Sequence, residues 1–171
     1  ITIANEAGMW PLEFTCRLGY RGFAVLEPLQ RAGWGELFCG MIARDMERFE
    51  TTPGFAACVV LTTPPFPWSR KEIEYPVSLP IVTRGVEGNH LHWGEVGLSN
   101  GRIVTSGLYG WTAVVTGIGP TVEKARSEAN ARAAEVHCPN LRYRLDIGQR
   151  LIDGQLGQLI QWGTVNFSRS L

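Results

Sequence analysis

The stretch GIGPTVEKARSEANARAAEV, residues 117–136, governs how the rest of the chain is read. Thr121 stands at a helix N-cap position, where a side-chain oxygen accepts one of the orphan backbone N–H groups of the first turn. After it Val122, Ala125, Ala129, Ala133 and Val136 recur at steps of three, four, four and three, which places one face of small apolar residues on a helix. The opposite face carries Glu123, Lys124, Arg126, Glu128, Arg132 and Glu135, with Glu128 four residues before Arg132 in the favourable order. Cys138-Pro139-Asn140 closes the helix.

Upstream the periodicity changes to that of strands. Phe55 to Thr62 is a β-type apolar run, whereas Thr63 to Pro67 has three prolines in five residues and cannot pair as a central strand. Short extended runs follow at Val77 to Val82, Leu91 to Val96, Gly101 to Thr105 and Trp111 to Thr116. Asn100-Gly101 predicts a tight hairpin turn, because both residues accept positive φ and strand-like Val96, Leu98, Ile103 and Val104 flank it. These runs predict an antiparallel sheet, and with the helix an α+β fold. Nearer the start, apolar residues from Phe23 to Met46 recur at helical steps and divide near Gly33-Trp34-Gly35, which predicts two helices. The opening ITIANEAGMWPLEF reads as two extended pieces broken at Glu6-Ala7-Gly8, as though it lay inside a domain. Beyond the long helix, Leu141 to Ile147 is extended and Gly148 to Ile160 forms a last helix weakened by Gly154 and Gly157. Two regions are expected, 1–50 and 51–171, parted by the turn chemistry of Thr51-Thr52-Pro53-Gly54.

Sixteen basic and sixteen acidic residues in 171 cancel, so no global field draws the chain to nucleic acid or to an anionic membrane. No window approaches the roughly 18 apolar residues of a bilayer span. Cys16, Cys39, Cys58 and Cys138 are scattered, which signals neither a zinc site nor a disulfide framework and fits a reducing cytoplasm.

Two short segments carry candidate chemistry. In Glu13-Phe14-Thr15-Cys16-Arg17-Leu18-Gly19, read as a strand, Glu13, Thr15 and Arg17 share one face and Phe14 and Cys16 the other. Carboxylate oxygen suits Mg²⁺ and arginine suits phosphate oxygens, although an amphipathic strand with an exposed ion pair has the same pattern. In Arg142-Tyr143-Arg144-Leu145-Asp146-Ile147-Gly148 the two arginines and Asp146 alternate onto one face, with Tyr143, Leu145 and Ile147 on the core side. Paired arginines call for an anion between them, which is either a ligand or Asp146 itself. His90 and His92 share a strand face at metal-compatible spacing without a third ligand nearby, and Gly117-Ile118-Gly119 reads as a strand-to-helix turn.

Taken in order, these segments resemble the C-terminal signature of glycinamide ribonucleotide synthetase, the phosphoribosylamine–glycine ligase family. Gly117 to Ala125 with Ala129 is similar to its G-x-G/D-x-T-x-x-E-A helix, Tyr143 to Gly148 to its Y-R-R-D-I-G segment, and Glu13 to Gly19 to its E-F-N-x-R-x-G strand. His92 before Gly94 resembles H-A-G-T, and Gly101 to Gly107 resembles D-G-x-V-V-T-x-G-G-R. The similarity spans about Pro11 to Leu151.

The resemblance implies an ATP-grasp carboxylate–amine ligase of purine biosynthesis, in which ATP phosphorylates a carboxylate and an amine displaces the phosphate to give an amide. Residues 1–50 would then be the end of the catalytic domain and 51–171 a small β-rich domain with a packed helix. By the same resemblance Glu13 and Thr15 would hold Mg²⁺, Arg17 would steady the acyl phosphate, and Arg142, Arg144 and Asp146 would bind substrate. ATP would be bound mostly by an N-terminal ATP-grasp portion missing from this chain, present in cis or as another chain. Small-molecule carboxylate and amine substrates are the expected partners, with no nucleic acid or membrane. Two departures, Tyr20-Arg21-Gly22 for D-P-E and Leu145 for Arg, fall where the family handles its amine and imply altered substrates, while a third, Thr15 for Asn, implies a poorer Mg²⁺ ligand. The alternative is a non-catalytic binding or assembly module that retains the fold.

Overall fold

The computed structural model describes residues 2–13, 15, 17–45, 50–67 and 77–165. The chain opens on an antiparallel hairpin, β1 (Thr2–Asn5) and β2 (Gly8–Pro11), turning at Glu6-Ala7 as expected. The expected pair of helices follows: α1 (Tyr20–Leu26), a single 3₁₀ turn (Glu27–Leu29) and α2 (Trp34–Ala43), with Gly33 as the extended N-cap of the second. Met46, counted above in the helical run, lies outside the described residues, as do Phe14, Cys16 and Trp68.

β3 (Phe55–Thr62) forms as its apolar run predicts, and Thr63 to Pro67 turns away from it. Then come β4 (Val82–Thr83), β5 (Leu91–Trp93), β6 (Val96–Ser99), β7 (Arg102–Thr105) and β8 (Trp111–Gly119). The β6–β7 hairpin turns on Asn100 and Gly101 at φ of 50° and 73°. The run from Val77 pairs irregularly: Ser78 and Ile81 donate to the Thr105 and Ile103 carbonyls of β7 at 2.7 and 2.9 Å, Pro80 bridges Val104, and the strand itself is confined to Val82 and Thr83.

α3 spans Val122–Ala134, and the Lys124 N–H donates to Thr121 Oγ1 at 3.2 Å, which is the expected cap. It ends sooner than its periodicity suggested. Val136 is buried, yet it belongs to the two-residue strand β9 (Val136–His137), which pairs with β4. The final helical stretch kinks at Gly154, whose φ of 126° no helix continues, and passes through Leu151–Gln155 into α4 (Leu156–Gln161).

Three layers result. The central sheet runs β3–β8–β5, all antiparallel. Val59 and Leu61 from β3 and Ala113 and Val115 from β8 pack with Ala129, Ala133 and Val136 in one core. Each fully buried Val or Leu contributes on the order of 1.5–3 kcal/mol. Gly117 lets α3 lie on the sheet: a Cβ there would overlap the backbone at Ala125 and Ala129. On the other face lie α1 and the 3₁₀ turn, with Ala24 fully buried.

At the Thr62 end the β3–β8 register slips. Leu61 pairs with Ala113 but Thr62 pairs with Trp111, so Thr112 is a surplus residue in β8. Cross-strand partners share a face, so this bulge turns Trp111 onto the face of Thr62 and α1 rather than that of Ala113 and α3. The main-chain oxygens of Trp111 and Thr112 each accept an N–H, from Glu95 at 2.6 Å and Gly94 at 2.9 Å.

Candidate functional site

None of the described residues between Glu13 and Gly19 lies in a strand. Alternating side chains do not make a strand without a neighbouring backbone to pair with, and among the described residues this segment has none. Glu13, Thr15 and Arg17 are all exposed, and Arg17 Nη1 donates to the Leu18 carbonyl at 3.4 Å. No group of three or more His, Cys, Asp and Glu side chains converges anywhere among the described residues. Glu13 is the one carboxylate of its row, and Mg²⁺ needs about six oxygen ligands, so this donor set does not by itself fit a resident Mg²⁺.

Three residues beyond Arg17 the chain becomes anchored. The Tyr20 hydroxyl donates to the Trp93 carbonyl at 3.0 Å, and its ring stacks on Trp111 with centroids 5.8 Å apart. Burial pushes the Tyr20 phenol above its usual range, so it remains a donor at neutral pH. Beside it Glu27 Oε2 meets His92 Nδ1 at 3.2 Å, and that imidazole makes a T-shaped contact with Phe23. Nε2 of His92 is buried with no hydrogen-bond partner among the described residues. Arg21 lies near enough to Cys58 to oppose the upward push of burial on that thiol.

The two histidines therefore serve different structures. His90 Nδ1 meets Thr116 Oγ1 at 3.3 Å, and desolvation, assisted by Arg132, lowers its pKa. Neither faces a third metal-ligating group among the described residues.

The Arg142–Asp146 segment is bridged to the sheet at one residue. Arg142 exchanges main-chain hydrogen bonds with Thr62, at 2.7 and 2.9 Å, on the edge of β3 away from β8. Its backbone thus lies at the same end of the sheet as Trp111 and the Tyr20 anchor. Arg144 grips Asp146 with two hydrogen bonds, Nε to Oδ1 at 2.9 Å and Nη2 to Oδ2 at 2.7 Å. This fork holds the Asp146 carboxyl below its usual range, and both side chains stay exposed. The alternation expected here holds for Tyr143, which packs on the core, and fails for Leu145, which is 65% exposed. The single bridge at Arg142 does not extend into a ladder that would impose strand parity on Leu145.

The same end of the sheet opens into a cavity of about 470 Å³ lined by Phe66, Pro67, Glu95, Tyr109 and Trp111. Reading the sequence alone does not assemble it. Trp111 reads there only as the start of an extended run, and Glu95 has no signal beyond an acid following Gly94.

No family model matches the chain, and neither does any curated protein. Among solved structures it is similar to the phosphoribosylamine–glycine ligase of Thermotoga maritima, with 27% sequence identity and a TM-score of 0.70 over 85% of this chain. The likeness supports a relationship to phosphoribosylamine–glycine ligase. The chain spans 35% of that ligase's length.

Proposed function

We propose that this chain is the C-terminal portion of an ATP-grasp ligase that joins a carboxylate to an amine through an acyl phosphate. The likeness to phosphoribosylamine–glycine ligase over 85% of the chain carries this reading. A second observation supports it. Met9, Trp10 and Leu12 on and beside the first hairpin, and Phe38, Met41 and Ile42 on α2, are exposed apolar side chains, Ile42 at 83%. An isolated two-stranded hairpin is marginal in water, and an apolar surface of this kind marks an interaction site. The ATP-binding portion of the ligase, in cis or as another chain, is the partner that would cover it.

In this reading ATP and Mg²⁺ are held mainly by that portion, which supplies the phosphorylating power. Glu13 adds one carboxylate and Thr15 one hydroxyl to the shared cleft. Arg17 places its guanidinium against the acyl-phosphate oxygens, where the charge of the transferring group is spread. Arg142 and Arg144 hold an anionic substrate, Arg144 oriented by the Asp146 fork. Tyr20 replaces an acid of the family pattern and Leu145 an arginine, so the substrates differ from glycine and phosphoribosylamine. A cytoplasmic enzyme is the setting that fits, and among the described residues no helix is long and apolar enough to cross a membrane.

The test is ADP release by the chain joined to its ATP-grasp portion, screened over carboxylate and amine pairs including glycine with phosphoribosylamine. Carboxylate-dependent ADP release that falls on the order of a hundredfold in Arg17→Ala supports the reading, since one lost contact to transition-state charge costs about that much. Micromolar Mg-ATP binding by the 171-residue chain alone, or unchanged turnover in Arg17→Ala, overturns it.

A further inference from the structure

The cavity beside Trp111 has a composition of its own. Phe66, Tyr109 and Trp111 give it three aromatic rings, Pro67 an apolar rim and Glu95 a carboxylate, and none of the described residues that line it is Lys, Arg or His. The Phe66 and Trp111 rings meet at 64° with centroids 6.1 Å apart, so they form the two sides of a corner rather than a closed stack. Aromatic faces carry the negative end of the ring quadrupole and attract a cation within about 6 Å of the centroid.

Glu95 is held in place by the backbone. Its Oε2 accepts the Tyr109 N–H at 2.9 Å and the Trp111 N–H at 3.3 Å. Its main-chain N–H donates to the Trp111 carbonyl at 2.6 Å, and its carbonyl accepts the Ser106 N–H at 3.0 Å. Gly107 makes room for it, since a Cβ there would overlap the Glu95 side chain. Both side-chain bonds fall on one oxygen, so the carboxylate keeps acceptor capacity at Oε1. A fixed negative charge next to aromatic faces repels anions and favours cations. The volume suits a molecule of amino-acid size or somewhat larger.

We propose that this cavity is a binding site for a small organic cation, a primary ammonium carried on an apolar body. The ammonium hydrogen-bonds to Glu95, and the body packs in the corner of Phe66, Tyr109 and Trp111. The site stands on its own geometry and does not depend on the ligase reading.

Titrating the isotope-labelled 171-residue chain with benzylammonium, with neutral benzyl alcohol and with benzoate tests this by NMR. The expected result is saturable shifts at the Trp111 indole and the Glu95 and Tyr109 amides with benzylammonium, at least tenfold tighter than with benzyl alcohol and absent with benzoate. Glu95→Gln keeps an acceptor for both backbone N–H groups and should erase the tenfold preference. If that variant does not fold, Tyr109→Ala, which keeps the main-chain N–H, should weaken benzylammonium more than benzyl alcohol. Equal affinity for the amine and the alcohol overturns the proposal. So do the absence of saturable shifts at these three residues and a preference untouched by either substitution.

Discussion

Replacing Gly117 by alanine tests the central packing of the molecule at one atom. Gly117 is buried in β8, at a backbone conformation any residue adopts, so the substitution meets no φ penalty. Reducing the freedom of the unfolded chain would alone stabilise the protein by about 0.4–1 kcal/mol. Against this the added Cβ lands on α3, and the atoms it meets are backbone: the Ala125 carbonyl, the Ala129 nitrogen and the Glu128 carbonyl carbon. Backbone cannot rotate aside. The helix must rise from the sheet along the seam where Ala125, Ala129 and Ala133 are 0% exposed, which costs about 1–3 kcal/mol in overpacked cores. The net expectation is a loss of roughly 0–2.6 kcal/mol, centred near 1.3, from the difference of those two ranges. At this chain length that is a Tm lower by about 3–5 °C at the centre of the range. Thermal unfolding followed by far-UV circular dichroism measures it, with Gly22→Ala as the control. Gly22 sits inside α1 with nothing within 4 Å of its added Cβ, so alanine there should raise stability by about 0.5–1 kcal/mol. If Gly117→Ala raises Tm as Gly22→Ala does, α3 is not seated on β8 at this residue and the layering argued above is wrong.

Thr121→Ala removes the α3 cap and should cost about 1 kcal/mol, read as a lower urea midpoint at unchanged m-value. His90 has its pKa lowered from 6.5 by desolvation, then by Arg132 and His92, against the opposite pulls of Glu128 and the Thr116 contact. The unfolded chain therefore binds more protons just below pH 6.5, so stability is full above that pH and falls as pH drops toward the folded pKa. His90→Gln should flatten urea midpoints across that window, and an unchanged slope would remove His90 as its source. In the complete ligase, Arg144→Ala should raise KM for the anionic substrate far more than for ATP, while leaving the fold intact because the Arg144–Asp146 fork is exposed. An equal rise for both would make the residue a support for the fold.

What the sequence disclosed follows the range of the forces involved. The α3 helix with its Thr121 cap and the Asn100-Gly101 hairpin rest on contacts between near neighbours in the chain, and both form as read. The hidden parts depend on distant partners. Glu13 to Gly19 alternates like a strand, but no second backbone among the described residues pairs with it. Val136 keeps the helical spacing and is buried, yet pairing with Thr83 draws it into a strand. Leu145 has the parity of a core residue, and parity means little where one bridge replaces a ladder. The cavity was the least legible feature, since Phe66, Glu95 and Tyr109 come from three separate segments.

The surplus residue at Thr112 gives the aromatic corner an unusual kind of heritability. Trp111 is available to Tyr20 and to the cavity only because β8 changes phase by one position before it pairs with Thr62. Delete one codon there and the same tryptophan would rotate to the α3 side, with every other lining residue still encoded. Relatives of this chain can therefore gain or lose the corner by a single-residue insertion or deletion, a change that residue-by-residue comparison of the cavity lining would record as perfect conservation.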